Sequence, residues 1–91
     1  MDIYVGSDNS SRRIGEDYIE IIKRWANSAF PDGYTLFKGE GCYNGVSEDS
    51  ILINVLSLDD IPVRTQLEEL KHELKQESIL VVKSRVEYEL I

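Results

Sequence analysis

The fold of this chain is decided by the glycine-punctuated stretch Gly39-Glu40-Gly41-Cys42-Tyr43-Asn44-Gly45. Its glycines accept positive φ values, and Asn-Gly is a dipeptide that favours a tight hairpin turn. The segment 34–38 before it alternates in a strand-like way, and the segment 51–56 after it is rich in β-branched residues. The sequence therefore predicts a central β-hairpin with a long, exposed arm.

A strand and a helix precede this hairpin. Residues 3–5 form a short β-branched and aromatic run. Apolar residues then recur at helical spacing over 14–29, which predicts an amphipathic helix of about 16 residues with Ser10 or Ser11 as its N-cap. The sequence Phe30-Pro31-Asp32-Gly33 has the residues of a tight turn and is expected to end that helix.

A second helix and a last strand follow the hairpin. Asp59 and Asp60 are N-cap candidates, Pro62 is expected in the first helical turn, and the apolar spacing over 63–74 predicts the helix. The segment 78–91 predicts a long last strand, because apolar and charged residues alternate strictly near its end.

This β-α-β-β-α-β order predicts an α+β, ferredoxin-like fold, a four-stranded antiparallel sheet with two helices on one face, as a single ferredoxin-like domain over residues 1–91. The other face needs a cover, because the third strand is also apolar at Leu52, Leu56 and Leu58. The long last strand also outruns the short first strand. These features predict a homo-oligomer, a dimer or a trimer; the alternative is a monomer with an open face and a frayed tail.

Composition restricts the partners and the compartment. The 91 residues carry a formal net charge of −7, which would repel a phosphate backbone, so nucleic-acid binding is not expected. The single cysteine, Cys42, excludes an intrachain disulfide and fits a reducing, cytoplasmic compartment. No segment approaches the roughly 20 apolar residues of a membrane helix, so we expect neither export nor a membrane partner.

The loop from the first strand into the first helix is one candidate site. It carries Ser11, Arg12 and Arg13 at an expected helix N-terminus, where free N–H groups and the helix dipole favour an anion. Two arginines in a first helical turn are electrostatically misplaced unless a phosphate or carboxylate binds there. The alternative is a capped, solvated helix start whose arginines pair with nearby acids.

The hairpin is the other candidate site. Gly41, Tyr43 and Asn44 lie at its tip and Glu48 lies close to them in sequence. An exposed arm with an aromatic residue is a usual binding device, because a rigid sheet presents such side chains without disturbing the core. The alternative is that the glycines only make turns.

Catalysis and metal binding have less support. The single histidine, His72, lies off the apolar stripe of the second helix and is expected to face water, so Cys42 has no evident base and is expected to be an ordinary, half-buried residue. The acidic residues of that helix alternate with lysines as on a solvated face. We therefore assign no catalytic residue, no metal and no cofactor, and we favour a non-enzymatic protein.

Four short motifs are spread over most of the chain: Pro31-Asp32-Gly33-Tyr34-Thr35, Gly39-x-Gly41-x-Tyr43, Glu48-x-Ser50 and Gln76-Glu77-Ser78-Ile79-Leu80. Together they resemble those of small ferredoxin-like domains of the PII-like superfamily and related uncharacterised families. The resemblance implies a mobile arm between strands two and three, assembly commonly as trimers, and small ligands such as nucleotides bound between subunits. It also implies a ligand near Gly41, Tyr43, Glu48 and Gln76.

The sequence thus predicts a non-enzymatic protein that binds or sequesters a small anionic metabolite or a nucleotide. It would act as a homo-oligomer with the site at subunit interfaces. The expected ligand-binding residues are Ser11, Arg12, Arg13, Gly41, Tyr43, Asn44, Glu48 and Gln76. The alternative is a regulatory protein-interaction adaptor that uses the sheet edge or the 39–50 hairpin.

Overall fold

The computed structural model of the chain describes residues 1–8, 10–57 and 61–91 and is an α+β fold. Its elements, in order, are β1 (Asp2–Gly6), α1 (Glu16–Ala29), β2 (Thr35–Tyr43), β3 (Val46–Asn54), α2 (Arg64–Glu73) and β4 (Leu80–Val82). The α+β class, the two helices and the four-stranded antiparallel sheet agree with the sequence. Leu58 and the expected N-caps Asp59 and Asp60 lie outside the described residues.

The sheet has the order β2-β3-β1-β4, with every pair antiparallel. The central strand β1 pairs with β3 from Asp2↔Asn54 to Gly6↔Ser50. The β2–β3 ladder continues beyond that end of β1, as far as Tyr43↔Val46. The hairpin therefore projects past the rest of the sheet, and we call residues 39–50 the arm.

One hydrophobic core lies between the sheet and both helices. Alternate residues of β1 and β3 are buried there, because successive side chains of a strand point to opposite faces. They pack in a single cluster with buried residues of α1 and α2. The fully buried side chains at its centre are Ile3, Val5, Ile22, Ile51, Ile53 and Leu70. The odd-numbered face of β1 and β3 is thus the covered one.

The two predicted turns are confirmed. At the end of α1 the N–H of Gly33 donates to the carbonyl of Phe30 at 3.1 Å. In the hairpin, Asn44 and Gly45 have φ values of 52° and 75°, the two positive angles that a type I′ turn requires. The strands that meet there are longer than expected, since Gly39 and Gly41 lie inside β2 and are not loop residues.

The predicted helix starts are wrong by several residues. α1 begins at Glu16 with Gly15 at the N-cap, so neither expected serine caps it. Ser10 instead donates its N–H and its hydroxyl to Asp8 Oδ1, both at 2.8 Å. Ser11 Oγ lies 3.2 Å from both the carbonyl and the N–H of Arg13. These local hydrogen bonds shape a loop and compete with the helix.

α2 also begins later than expected. Its N-cap is Val63, so Pro62 precedes the helix and does not lie in its first turn. Among the helices of the described ranges, none has the length and apolar character needed to cross a membrane.

The long last strand is not observed. β4 has three residues, and 83–91 has no regular secondary structure. β4 pairs with β1 only over Asp2↔Val82, Ile3↔Val81 and Tyr4↔Leu80, and antiparallel continuation carries the chain past Asp2, the first residue of β1. The alternating sequence therefore meets no ladder partner within its own chain.

Candidate ligand-binding site

The arm and the β1–α1 loop line an open cavity of about 370 Å³, which we call the arm pocket. Its lining residues are Ser11, Arg12, Arg13, Glu40, Ser47, Glu48 and Asp49. Four of the predicted ligand-binding residues are among them: the loop residues Ser11, Arg12 and Arg13, and Glu48 of β3. The structure thus brings the predicted loop residues next to one of the predicted hairpin residues.

Asp49 holds the loop against the arm. Its N–H donates to the carbonyl of Arg12 at 2.9 Å, and its Oδ2 accepts the N–H of Ile14 at 2.8 Å. On the other side of the loop, the N–H of Arg12 donates to the carbonyl of Asp8 at 2.9 Å. Hydrogen bonds on both sides of Arg12 therefore fix its backbone.

Arg12 adopts the left-handed conformation, with φ of 58°. A side chain with a Cβ pays about 1–2 kcal/mol to adopt this region, and such conformations persist only where surrounding contacts impose them. Here the contacts to Asp8 and Asp49 do so. The chain accepts a strained residue at the wall of its arm pocket.

The two arginines of the arm pocket are exposed and make no ion pair within the described part of the chain. The ion pairs present among the described residues are Arg24–Glu73 and Arg64–Glu68, both remote from this loop. The expected alternative, in which Arg12 and Arg13 pair with nearby acids, is therefore not observed across residues 1–8, 10–57 and 61–91. Their guanidinium groups remain available to an outside anion.

The helix N-terminus does not contribute to this site. The arginines were expected in the first turn of the helix, but that turn holds Glu16 and Asp17 instead, whose charges already complement the helix dipole. Any anion held by Arg12 and Arg13 is held by side chains of the loop. The expected contribution of the helix dipole was therefore wrong, but Arg12 and Arg13 remain candidate ligand-binding residues.

Glu40 and Asp49 face each other across the β2–β3 ladder, and Gly41 pairs with Glu48. A Cβ at Gly41 would lie 3.8 Å from the carbonyl oxygen of Glu48, an ordinary van der Waals distance, so a small side chain would be tolerated there. Glu40 and Asp49 offer carboxylates beside the arginines, which suits hydrogen-bond donors of a ligand and not a second anionic group, whereas the side chain of Glu48 lies on the other face of the ladder with Gly41.

The remaining predicted residues lie elsewhere. Tyr43 is 77% exposed at the tip of the arm, where Asn44 forms the turn, and neither lines the arm pocket. Gln76 lies beyond α2 and lines a different cavity, of about 190 Å³, with Asp8, Tyr18 and Lys75 among its neighbours. Within one chain, the ligand set implied by the resemblance is not brought together.

Gln76 has a structural position of its own. Its Nε2 donates to the carbonyl of Ser7 at 2.7 Å and to the hydroxyl of Tyr18 at 2.9 Å, and that hydroxyl donates to the carbonyl of Gly6 at 2.6 Å. Burial raises the pKa of Tyr18, and the hydrogen bond from Gln76 opposes that rise. Nearby, hydrogen bonds from Ser10 lower the pKa of Asp8.

Three lining residues were not predicted: Glu40, Ser47 and Asp49. The turn could have found them, because a two-residue loop at Asn44-Gly45 pairs Tyr43 with Val46 and so places Glu40 opposite Asp49. The register of the hairpin would therefore have identified these residues. It was not used, because Gly39 and Gly41 suggested that the strand ended before them.

Neither Cys42 nor His72 lines the arm pocket, although Cys42 is the ladder partner of Ser47, which does. Cys42 is exposed, not half-buried as expected, and His72 is exposed as predicted. Within the described part of the chain, no group of three or more His, Cys, Asp or Glu side chains is arranged to hold a metal ion.

Comparisons with protein-family models, with curated proteins and with solved structures find no match to this chain. The PII-like resemblance accordingly stays a prediction.

Proposed function

We propose that this chain is a non-enzymatic protein that binds a small anionic metabolite or a nucleotide in the arm pocket. The observation that carries the proposal is the pair of unpaired arginines, Arg12 and Arg13, in a cavity of about 370 Å³. Guanidinium groups match phosphate and carboxylate geometry with paired N–H donors. Small-molecule sites typically occupy about 300–1,000 Å³, and this cavity is at the lower end of that range.

The carboxylates of the pocket narrow the ligand class. Glu40 and Asp49 accept hydrogen bonds but repel a second negative charge, so the favoured ligand carries hydroxyl or amino groups beside one anionic group. A sugar phosphate or a nucleoside monophosphate meets this description. Citrate, which has three carboxylates and one hydroxyl, meets it poorly.

The proposal includes a ferredoxin-like arrangement, a homo-oligomer and a cytoplasmic setting. The β-α-β-β-α-β element order and the central positions of β1 and β3 support the first. The exposed apolar residues of the sheet, among them Phe37 and Leu80, support the homo-oligomer. The exposed thiol of Cys42 fits a reducing compartment.

Thermal unfolding with defined probes tests the binding function. The probes are inorganic phosphate, ribose 5-phosphate, AMP, ATP and citrate, and a ligand at 100 times its dissociation constant adds about 2.7 kcal/mol to the stability. We expect ribose 5-phosphate or AMP to raise the unfolding temperature more than citrate does. Unchanged unfolding with all five probes would refute the proposal.

The double variant Arg12→Ala/Arg13→Ala should lose the ligand effect. Hydrogen bonds to charged groups contribute about 1.5–3 kcal/mol each, so removal of both arginines should weaken binding by at least about 100-fold. The matched control Lys23→Ala/Arg64→Ala changes the net charge equally at exposed positions of the two helices, outside the pocket, and should bind normally. Equal loss in both variants would mean that only overall charge matters.

A second candidate function, a protein-interaction adaptor, is favoured by the free edge of β2. This strand pairs with β3 alone, so its other edge offers backbone groups over Thr35–Tyr43 for strand addition. That function needs no small molecule. A co-purifying protein that is lost on Tyr43→Ala, together with no response to the five probes, would favour it.

A further inference from the structure

The sheet face opposite the helices carries a continuous apolar row. Phe37, Leu52, Tyr4 and Leu80 are direct neighbours in register across β2, β3, β1 and β4. Phe37 is 51% exposed, Tyr4 40% and Leu80 61%, while Leu52 is half-buried. No helix packs on this side, since the buried residues of both helices belong to the core on the other face. We call this surface the open face.

The relief of the open face suits interdigitation. Next to the apolar row lies a row of small residues, Gly39, Ser50 and Gly6, again in register across three strands. A Cβ at Gly39 would meet nothing within 4 Å, so the row is a shallow trough at Gly39 and Ser50, whereas at Gly6 the side chain of Gln76 lies 3.7 Å from the position of a Cβ. Beyond this row, Val46 and Tyr43 rise at the tip of the arm and are 40% and 77% exposed.

Charge is nearly absent from the open face. Of the ladder residues that point to it, only Asp2 and Glu48 are charged, and Asp2 accepts a hydrogen bond from Asn54 at 2.6 Å. The chain as a whole has 17 acidic residues and a net charge of −7. Depletion of charge at an apolar patch distinguishes the centre of a protein interface from ordinary surface.

The segment 83–91 supplies a complementary element. Its apolar side chains Val86, Tyr88 and Leu90 alternate with charged ones, and they are 56%, 44% and 97% exposed. Within the described ranges, residues 84–91 make no hydrogen bond and no ion pair. The pattern is that of a strand with one buried side, and the described residues of this chain provide no ladder partner and only partial cover for it.

We propose that a second copy of this chain covers the open face and that residues 83–91 take part in that interface. This inference deepens the homo-oligomer of the proposed function, but it does not depend on the ligand. A second copy has the same apolar row and the same trough. The apolar row of each copy can therefore pack into the trough of the other copy, with the two copies related by a two-fold axis. The second copy also brings a second unpaired segment 83–91. If residues 83–91 of each copy pair with a strand of the other copy, the backbone hydrogen-bonding groups of both segments gain partners.

The size of the face can be compared with what a stable dimer needs. The sheet holds nine residues of β2, nine of β3, five of β1 and three of β4. At about 3.3 by 4.8 Å each, these residues span a projected area of about 410 Å². Stable interfaces bury about 800 Å² of accessible surface on each partner, so the open face supplies about half of that area and residues 83–91 would have to supply most of the rest.

Native mass spectrometry and light scattering without added ligand test this inference. We expect a mass of at least two chains of 10.4 kDa each. The double variant Phe37→Lys/Leu80→Lys should have the mass of one chain and keep the circular dichroism of the parent, because both side chains are already exposed in the single copy. The control Ser28→Lys/Thr65→Lys adds equal charge on the two helices and should stay assembled.

The parent chain at the mass of one copy at every concentration tested would overturn the inference, as would a Phe37→Lys/Leu80→Lys variant that stays assembled. Tyr88→Asp should weaken assembly, and unchanged assembly would overturn the part assigned to 83–91. The ligand probes give a separate readout. Assembly without any thermal shift would contradict only the binding function, and a thermal shift in a protein of one copy would contradict this inference and the homo-oligomer but not ligand binding.

Discussion

Arg12 holds a left-handed backbone conformation although it carries a side chain. Two main-chain hydrogen bonds impose it, one to Asp8 and one from Asp49, and the side chain lines the arm pocket. Glycine would adopt the same backbone without strain. Arg12 keeps a strained backbone and makes no ion pair within the described residues. Both properties are expected of a residue with a functional role.

The first residue-scale prediction concerns Arg12→Gly. We expect it to raise the free energy of unfolding by up to about 1 kcal/mol, because the left-handed strain is relieved, although glycine also gains entropy in the unfolded chain. The same variant should bind the responsive probe more weakly. Urea unfolding and the thermal-shift titration measure the two effects. Arg12→Ala is the control, since it should lose binding without gaining stability; equal stability of the two variants would contradict the strain argument.

At the scale of elements, the arm depends on its turn. Residues 39–50 extend past the end of β1. Between Val46 and Asp49, β3 therefore has β2 on one side, and on the other side the described residues contribute the loop contact at Asp49. The type I′ turn at Asn44-Gly45 fixes the register that puts Glu40 opposite Asp49. A local change at the tip therefore reaches the pocket through the ladder.

Gly45→Ala should destabilise the arm. The φ of 75° at Gly45 costs a residue with a Cβ about 1–2 kcal/mol, whereas Gly39→Ala introduces a Cβ into open space within a strand. We expect a lower urea midpoint and weaker probe binding for Gly45→Ala, and a neutral or slightly stabilising effect for Gly39→Ala. Matching midpoints in the two variants would show that the turn does not control the arm.

At the scale of the whole molecule, the two halves of the chain are joined by hydrogen bonds as well as by the core. Tyr18 of α1 and Gln76 beyond α2 meet at the end of β1, where they satisfy the carbonyls of Gly6 and Ser7. This contact closes the end of the central strand from which the β1–α1 loop departs.

The prediction at this scale is a pH dependence of stability. Burial raises the pKa of Tyr18 above its ordinary value of 10.0. The folded state therefore retains the proton that the unfolded chain loses, and this contribution is complete below pH 10.0 and declines as the pH rises through the folded pKa. Tyr18→Phe should cost about 1 kcal/mol at neutral pH and flatten the decline. Urea unfolding up to about pH 11, with Tyr88→Phe as control, measures it; parallel curves would contradict the assignment.

Much of the fold could be predicted because its signals are local. The helical period over 14–29 and the turn residues at 30–33 and 44–45 each act over a few residues, and each element appeared where its pattern lies. Helix starts failed because Ser10 and Ser11 had nearer partners for their hydroxyls, at Asp8 and Arg13. A propensity for capping does not reveal which acceptor is closest.

The long last strand and the site were harder to predict for physical reasons. Alternation over 83–91 tells which side chains a strand would bury, but not whether a neighbour exists to pair with it. The arm pocket was half predicted, from the arginines and Glu48, because those residues stand out chemically. Asp49 did not, since its role comes from a contact with Ile14, 35 positions away in sequence.

The unequal lengths of β1 and β3 have a mechanical consequence. From Ser50 to Val46, β3 continues for four residues beyond its last pair with β1, about 13 Å at 3.3 Å per residue. The arm pocket lies on the same side of Ser50 as the tip, because Ser47, Glu48 and Asp49 line it. A rotation of about 10° at Ser50 moves Tyr43 by about 2 Å over that length, so a ligand that changes the position of residues 47–49 also displaces the aromatic side chain at the tip.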